Sequence, residues 1–338
     1  MIRSALFALL AGLLLAGTAC TNDSKPAPAA AGQQDPELTQ LNLLLEKDPK
    51  NDSLLFKRAR IFYHSQAYDE ALVDLANAIN RDSLHHPEYY HLLADALIDY
   101  ARPNDSKRAI EVLQAAARIF PNRIPTLLKL SEFQLIVLHH TDALSTIDKV
   151  LRIDPQNAEG YFMAGRVALD MGDTTRAISV LQKSVQFDAG NNDAWRFLGR
   201  IFAQRNNPVA IQYFDNALRI DSTDLATREF KAAFYKRRGE FDKAFATYRD
   251  IIIRNPDYSN AYFDIGTIYL EMDSLQKAYD NYSLAIKTDP LFIKAYYFRG
   301  HSAELMGNIE AAVADYTQAN KMSPSYEEPK AALERLKK

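Results

Sequence analysis

Cys20 is the only cysteine in the 338 residues. No intramolecular disulfide can form, so the fold has to be held by packing, even in an oxidising compartment. Twelve glycines and 14 prolines are few for this length, which leaves no long internal linker. An excess of charge of one sign is also missing. The 40 Lys and Arg and 43 Asp and Glu give a net charge of −3, with the signs interleaved along the chain. That is the pattern of solvated helix faces, and it lacks the basic footprint that nucleic-acid binding requires. No glycine-rich phosphate loop, nucleophile elbow or paired-carboxylate motif occurs, so no catalytic residue and no cofactor are expected.

What the chain does have is a period. Pro256, Pro290 and Pro324 are spaced 34 residues apart, and the segments they close share one internal pattern. Tyr262, Gly266, Ala278, Tyr282 and Ala285 recur in kind as Tyr296, Gly300, Ala312, Tyr316 and Ala319, with Ile265 and Tyr269 in the first segment and Ala303 in the second at the remaining offsets. Register positions 4, 7, 8 and 11 have the three-and-four spacing of one helix face, and positions 20, 24 and 27 have that of a second. Small residues at 8 and 20 allow the two helices to approach closely, while aromatics at 4, 11 and 24 fill the space to the next pair. Proline at 32 cannot continue a helix and punctuates the turn.

This pattern resembles the tetratricopeptide repeat. Carried backwards, the register gives eight repeats: 52–86, 87–123, 124–157, 158–191, 192–224, 225–258, 259–292 and 293–325. The second is about three residues long around Arg102 to Asp105, and the fifth is one residue short. Arg58, Lys231 and Arg299 replace the usual Leu at position 7, and Ser131 and Gln134 replace the usual Gly and aromatic of the third repeat. The resemblance implies an all-α fold, an α-solenoid wound as a right-handed superhelix. Residues 37–51, with Leu41, Leu44 and Leu45, and residues 326–338, with Ala332, Leu333 and Leu336, are expected to form capping helices.

Residues 1–19 read as an export signal: Arg3 precedes the apolar run at 5–16, which is too short to span a membrane. Gly17, Thr18, Ala19 and Cys20 resemble the bacterial lipobox, with Gly17 in place of the usual aliphatic residue. The resemblance implies a lipidated Cys20 as the mature N-terminus. The plain alternative is cleavage after Ala19 without a lipid. Residues 20–36 are rich in Ala and Pro and read as a tether. The expected location is the bacterial envelope, anchored in the outer membrane and facing the periplasm, with surface exposure as the other orientation.

Histidines invite a search for metal. His85, His86 and His91 lie near Glu88, but they lack the two-histidine, one-turn spacing of a zinc hydrolase and have no cysteine partner. They read as a turn and a polar helix face, so no metal site is expected. His139 and His140 read as turn residues.

Positions 2, 5, 9 and 12 of the first helix line the concave groove in arrays of this kind. On that register Phe162, Arg166, Arg196, Arg200 and Lys236 form a basic strip with an aromatic neighbour and Glu229 nearby. Such a strip suits a carboxylate, an acidic peptide or an anionic glycan, and the bland reading is a face balanced by local acids. Phe56 and Tyr63 near the start, and Phe263, Tyr297 and His301 near the end, suit an extended peptide or partner helix. The expected function is a non-enzymatic scaffold holding a protein or peptide partner for an envelope complex; the alternative is a cell-wall or glycan adaptor that recruits envelope enzymes.

Overall fold

The computed structural model describes residues 35–336. The signal segment, Cys20 and nearly all of the tether lie outside the described residues, as do the last two residues of the C-terminal segment. Among the described residues there are eighteen helices and no strand, an α-solenoid of consecutive helix pairs. The described residues divide into two compact units at the boundary between Phe187 and Asp188.

The first unit holds α1 (Pro36–Lys47), α2 (Asp52–His64), α3 (Tyr68–Arg81), α4 (Pro87–Tyr100), α5 (Asp105–Ile119), α6 (Ile124–Ile136), α7 (His140–Ile153), α8 (Ala158–Asp170) and α9 (Thr174–Phe187). The second holds α10 (Asn192–Gln204), α11 (Ala210–Ile220), α12 (Leu225–Arg237), α13 (Phe241–Arg254), α14 (Ser259–Glu271), α15 (Leu275–Thr288), α16 (Ile293–Leu305), α17 (Ile309–Met322) and α18 (Glu327–Leu336). No helix among them is long and apolar enough to cross a membrane.

Each turn between pairs is written into a few side chains. The Asp154 carboxylate accepts from the Gln156 N–H, and Asn157, three residues after Asp154, caps α8 by accepting from the Gly160 N–H at 2.9 Å. Asp188 and Asn191 do the same ahead of α10. An Asx turn followed by an N-cap stops one helix and starts the next.

The turn inside each pair is set by backbone conformation. Gln66, Ala101, Leu138, Gly172, Asn206, Gly239, Asp273 and Gly307 all have φ between 52° and 81°, and all occupy register position 15. In seven of the eight pairs the next residue's N–H returns to a carbonyl five residues back, as His139 does to Gln134 at 2.8 Å and Asn308 to Ala303 at 2.9 Å. This Schellman closure satisfies a carbonyl at the helix end. Only three of the eight positions are glycine, so the other five carry a Cβ in a region that costs about 1–2 kcal/mol for an L-residue.

The core sits where the period predicts. Ala71, Ala143, Ala177, Ala244, Ala278 and Ala312 are fully buried, as are Phe214, Tyr248, Tyr282 and Tyr316. In four pairs a glycine at position 8 faces a large side chain on the second helix. A Cβ added at Gly199 would lie 2.5 Å from the Phe214 ring, and one at Gly165 would lie 2.6 Å from Leu181.

The two arginines at position 7 are structural. Arg58 forks onto Asp74 at 2.7 and 2.8 Å, and Arg299 onto Asp315 at 2.8 and 2.6 Å. Both aspartates are buried, at 3% and 6% exposure. Lys231 instead bonds Asp215 of the preceding pair at 2.5 Å.

Two stability tests follow from these features. Leu138 is 64% exposed, so Leu138→Gly relieves the left-handed turn without losing packing. It is expected to raise stability by up to about 1 kcal/mol, and Gly172→Ala to lower it by about 1 kcal/mol, in urea unfolding. Arg58→Ala leaves Asp74 buried without its partner and is expected to cost about 3–5 kcal/mol. The pair Arg58→Met with Asp74→Leu should recover most of that loss.

Candidate functional site

The residues assigned to the groove occupy different environments. Phe162 is a correction: it is 7% exposed and is not presented to a partner. Helix α8 buries Gly160, Phe162, Met163, Ala164, Gly165, Val167 and Ala168, so it is covered on nearly every side and little of it remains as a groove wall. Arg166, on the same helix, stays partly exposed and reaches Glu132 of α6 at 3.4 Å. Lys129 on α6 in turn bonds Asp95 of α4 at 2.8 Å. In the first unit the groove face is therefore crossed by ion pairs between successive first helices.

The second unit repeats the arrangement. Arg196 pairs with Asp193 and lies 3.5 Å from Asp224, and Lys236 bonds Asp264 of α14 at 2.6 Å. Glu229 accepts from the Tyr258 hydroxyl at 2.7 Å. Arg166, Arg196 and Lys236 are thus discharged by carboxylates, which is the pattern of a balanced face. Arg200 differs. Its guanidinium stands over Phe230 at 4.9 Å and Phe197 at 5.7 Å, and it enters no ion pair among the described residues. A planar cation on aromatic rings keeps N–H donors along its edge.

Toward the end of the chain the face becomes aromatic. Phe263 on α14 contacts Phe292, Phe298 and Tyr282 at centroid distances of 4.9, 5.5 and 5.5 Å. Tyr297 on α16 meets Tyr326 and Tyr316 at 5.5 and 5.6 Å, and its ring lies parallel to that of His301. All three are only partly buried, whereas Tyr282 and Tyr316 behind them are fully buried. Glu304 ends this face. Burial pushes its carboxyl up, but hydrogen bonds from Tyr316 and Arg335 hold it below the usual carboxylate range. In the first unit Phe56 packs at a tilt of 36° against Tyr89, ring centroids 4.7 Å apart, and Tyr63 donates to Asp99 at 2.5 Å.

Several participants are invisible in the sequence reading. Asp95, Glu132, Asp224 and Asp264 discharge the groove cations. Each lies about one repeat from its partner, so a search for nearby opposite charges misses them; a search at 28–34 residues would find them. Tyr248 is fully buried, and its hydroxyl makes no hydrogen bond of ordinary geometry. Burial, and then the charge and acceptor of the neighbouring Asp264, push its acidity far down, so it stays a donor directed at that carboxylate.

Family models described as Tetratricopeptide repeat match residues 139–192 and 162–224, and another of that description matches 259–290 and 293–326. The chain carries tetratricopeptide repeats, and proteins built from them serve as protein-interaction scaffolds. Among curated proteins, Superkiller protein 3 of Schizosaccharomyces pombe is 21% identical over 246 residues, covering 68% of this chain and 17% of that protein. A BBSome complex member BBS4 homolog of Drosophila melanogaster is 24% identical over 151 residues, 41% of this chain and 31% of that protein. The human Protein O-mannosyl-transferase TMTC1 is 25% identical over 48% of this chain and 18% of its own. This chain thus spans under a third of the length of these relatives. Among solved structures, a tetratricopeptide repeat protein from Parabacteroides merdae superposes with a TM-score of 0.52 at 21% identity, covering 74% of this chain and 99% of that one. Cut9–Hcn1 gives 0.52 at 15% identity over 88% of this chain and 58% of that one. These likenesses are likenesses of fold.

His91, on the groove face of α4, supplies a pH test. Its ring bonds Thr126 at 2.9 Å. Burial, and then the nearby Lys129 and Arg123, lower its pKa to about 4, with Glu88 opposing. A histidine depressed when folded contributes stability that is fully present above its unfolded value, near 6.5, and is lost as pH falls towards about 4. The full shift corresponds to roughly 3 kcal/mol, and partial solvent access reduces it to about 1–2 kcal/mol. The wild type should lose that much stability between pH 7 and 4 beyond what His91→Asn loses, measured by urea unfolding at each pH.

Proposed function

We propose that this protein is a non-enzymatic adaptor that holds a protein or peptide partner on the groove face of its second unit, with Arg200, Phe263, Tyr297 and His301 as the main contacts. The observation that carries this reading is the contrast along that face. Arg196 and Lys236 are spent on carboxylates, whereas Arg200 is exposed and Phe263, Tyr297 and His301 are partly exposed at register positions 5 and 9. An acidic ligand would have to displace those carboxylates. A segment with apolar or aromatic side chains and a backbone or side-chain acceptor for Arg200 would not.

In this proposal Cys20 carries the lipid, and residues 20–36 let the repeats stand off the outer membrane on its periplasmic side, where the adaptor supports assembly of an envelope complex. The sequence around Cys20 and the composition of the tether support this half of the reading.

The two halves have separate tests. Cys20→Ser is expected to move the protein from the membrane fraction to the soluble fraction; a protein that stays membrane-bound after that change was not held by lipid. Crosslinking and capture from intact cells are expected to recover a specific protein partner. Arg200→Ala and Tyr297→Ala should each reduce that recovery at least fivefold, as central contacts worth about 1–2 kcal/mol do. Unchanged recovery with both variants, or sedimentation with purified wall material in place of a protein partner, would reject the groove assignment and favour the cell-wall adaptor.

A further inference from the structure

The turn between α3 and α4 gathers groups that the groove reading does not use. Asp82 ends α3, His86 precedes α4, and Asp52 opens α2, one repeat earlier in the chain. His86 Nε2 lies 3.9 Å from an oxygen of Asp52 and 3.9 Å from one of Asp82. Both separations are too long for a hydrogen bond. One ligand atom from each of the three residues falls within 4.8 Å of the others. For a triangle with two sides of 3.9 Å and a third up to 4.8 Å, the nearest point equidistant from the three atoms lies in their plane, up to about 2.5 Å from each. Bonds from zinc to imidazole nitrogen and carboxylate oxygen are about 2.0–2.2 Å, which in a tetrahedral site puts the ligand atoms roughly 3.3–3.6 Å apart. The two carboxylates must therefore swing inward on the ion, the histidine contacts by about half an ångström each and the acid–acid separation by up to roughly 1.5 Å.

The imidazole is held in the orientation such a site needs. Its Nδ1 lies 2.9 Å from Glu88, and its ring stacks on Tyr89 at 4.7 Å and 17°. A histidine that donates Nδ1–H to a carboxylate keeps the Nε2 lone pair free, and this is how metal-binding histidines are commonly oriented. Asp52 is fixed as well, because its carboxylate accepts from the Tyr89 hydroxyl at 2.8 Å. Tyr89 thus braces both the histidine and one of the acids. Two carboxylates and a neutral imidazole together carry the charge that one divalent ion cancels. The imidazole favours zinc-like borderline ions over calcium or magnesium, which prefer all-oxygen sites.

We propose that Asp52, Asp82 and His86 form a site for a zinc-class divalent transition metal, with solvent completing the coordination and Glu88 as the positioning residue. The ion would tie the first residue of α2 to the turn between α3 and α4, and so cross-link the first two helix pairs.

The test uses the purified full chain, freed of metal, with Zn²⁺ as the probe in calorimetric titration. The expected result is one zinc-binding event per chain that Ca²⁺ and Mg²⁺ at tenfold higher concentration do not displace. His86→Ala with Asp52→Asn should abolish it, and Glu88→Gln should weaken it about tenfold. A wild type that takes up no more zinc than the double variant would overturn the site. A measurement on the wild type guards against a variant that fails to fold. Zinc should protect His86, but not the turn residue His139, from acylation by diethyl pyrocarbonate as read by mass spectrometry. Equal modification of His86 with and without zinc also overturns the proposal.

Discussion

The contact between register positions 8 and 24 sets the rest of the structure. A pair of antiparallel helices can close onto a tyrosine or phenylalanine on the second helix only if the first helix offers almost no side chain opposite it. Gly199, Gly266 and Gly300 meet Phe214, Tyr282 and Tyr316 in this way. Where glycine is missing, position 8 is Ala59, Ala94, Ser131 or Ala232, each of them fully buried. That close approach fixes the face of the first helix that turns inward. By elimination it also fixes the face at positions 5, 9 and 12 that remains free for charge and for partners. The groove is thus a consequence of the packing.

The same constraint explains why polar groups recur behind the groove. A tyrosine at position 24 is long enough to carry its hydroxyl across the pair, where it must find an acceptor or remain unpaired. Tyr316 finds Glu304 at 2.7 Å and Tyr282 reaches Thr267 at 3.4 Å, while Tyr248 has only the Asp264 carboxylate nearby, outside ordinary hydrogen-bond geometry. The groove floor therefore changes character from pair to pair, although the core beneath it hardly changes.

The fold was legible because its determinants are local and periodic. The alanines at 20, the aromatics at 24 and the Asp, Pro and Asn of the turns each act within one helix or one turn, and repetition averages out degenerate positions such as Arg58 and Arg299. The arginines themselves were legible only as departures, although each has its aspartate sixteen residues later on the facing helix. Position 15 is marked in the sequence where it is Gly172, Gly239 or Gly307 and unmarked where it is Leu138, because a left-handed turn imposed by the pair on either side leaves no mark on a leucine. The exposure of the candidate face was legible by register, and its charge balance was not. Register placed Arg200, Tyr297 and His301 on a partly open face, but it placed Phe162 there too, and that face of α8 is closed. The neutralising acids were out of view because an ion pair between successive first helices joins residues about one repeat apart.

That spacing has a consequence for recognition. A cation bound to an acid on the next helix is a strut between repeats, and a ligand that takes the cation has to leave the acid unpaired. Lys236 with Asp264 and Arg166 with Glu132 are partly solvated struts, each worth at most about 1 kcal/mol, yet each makes an anionic ligand compete with an internal carboxylate. Aromatic side chains impose no such exchange, and an arginine stacked on Phe230 keeps its donors while giving up little water. Selection on this face therefore runs against simple polyanions and towards segments that can cover rings and supply one or two acceptors, which is a discrimination that net charge alone would not reveal.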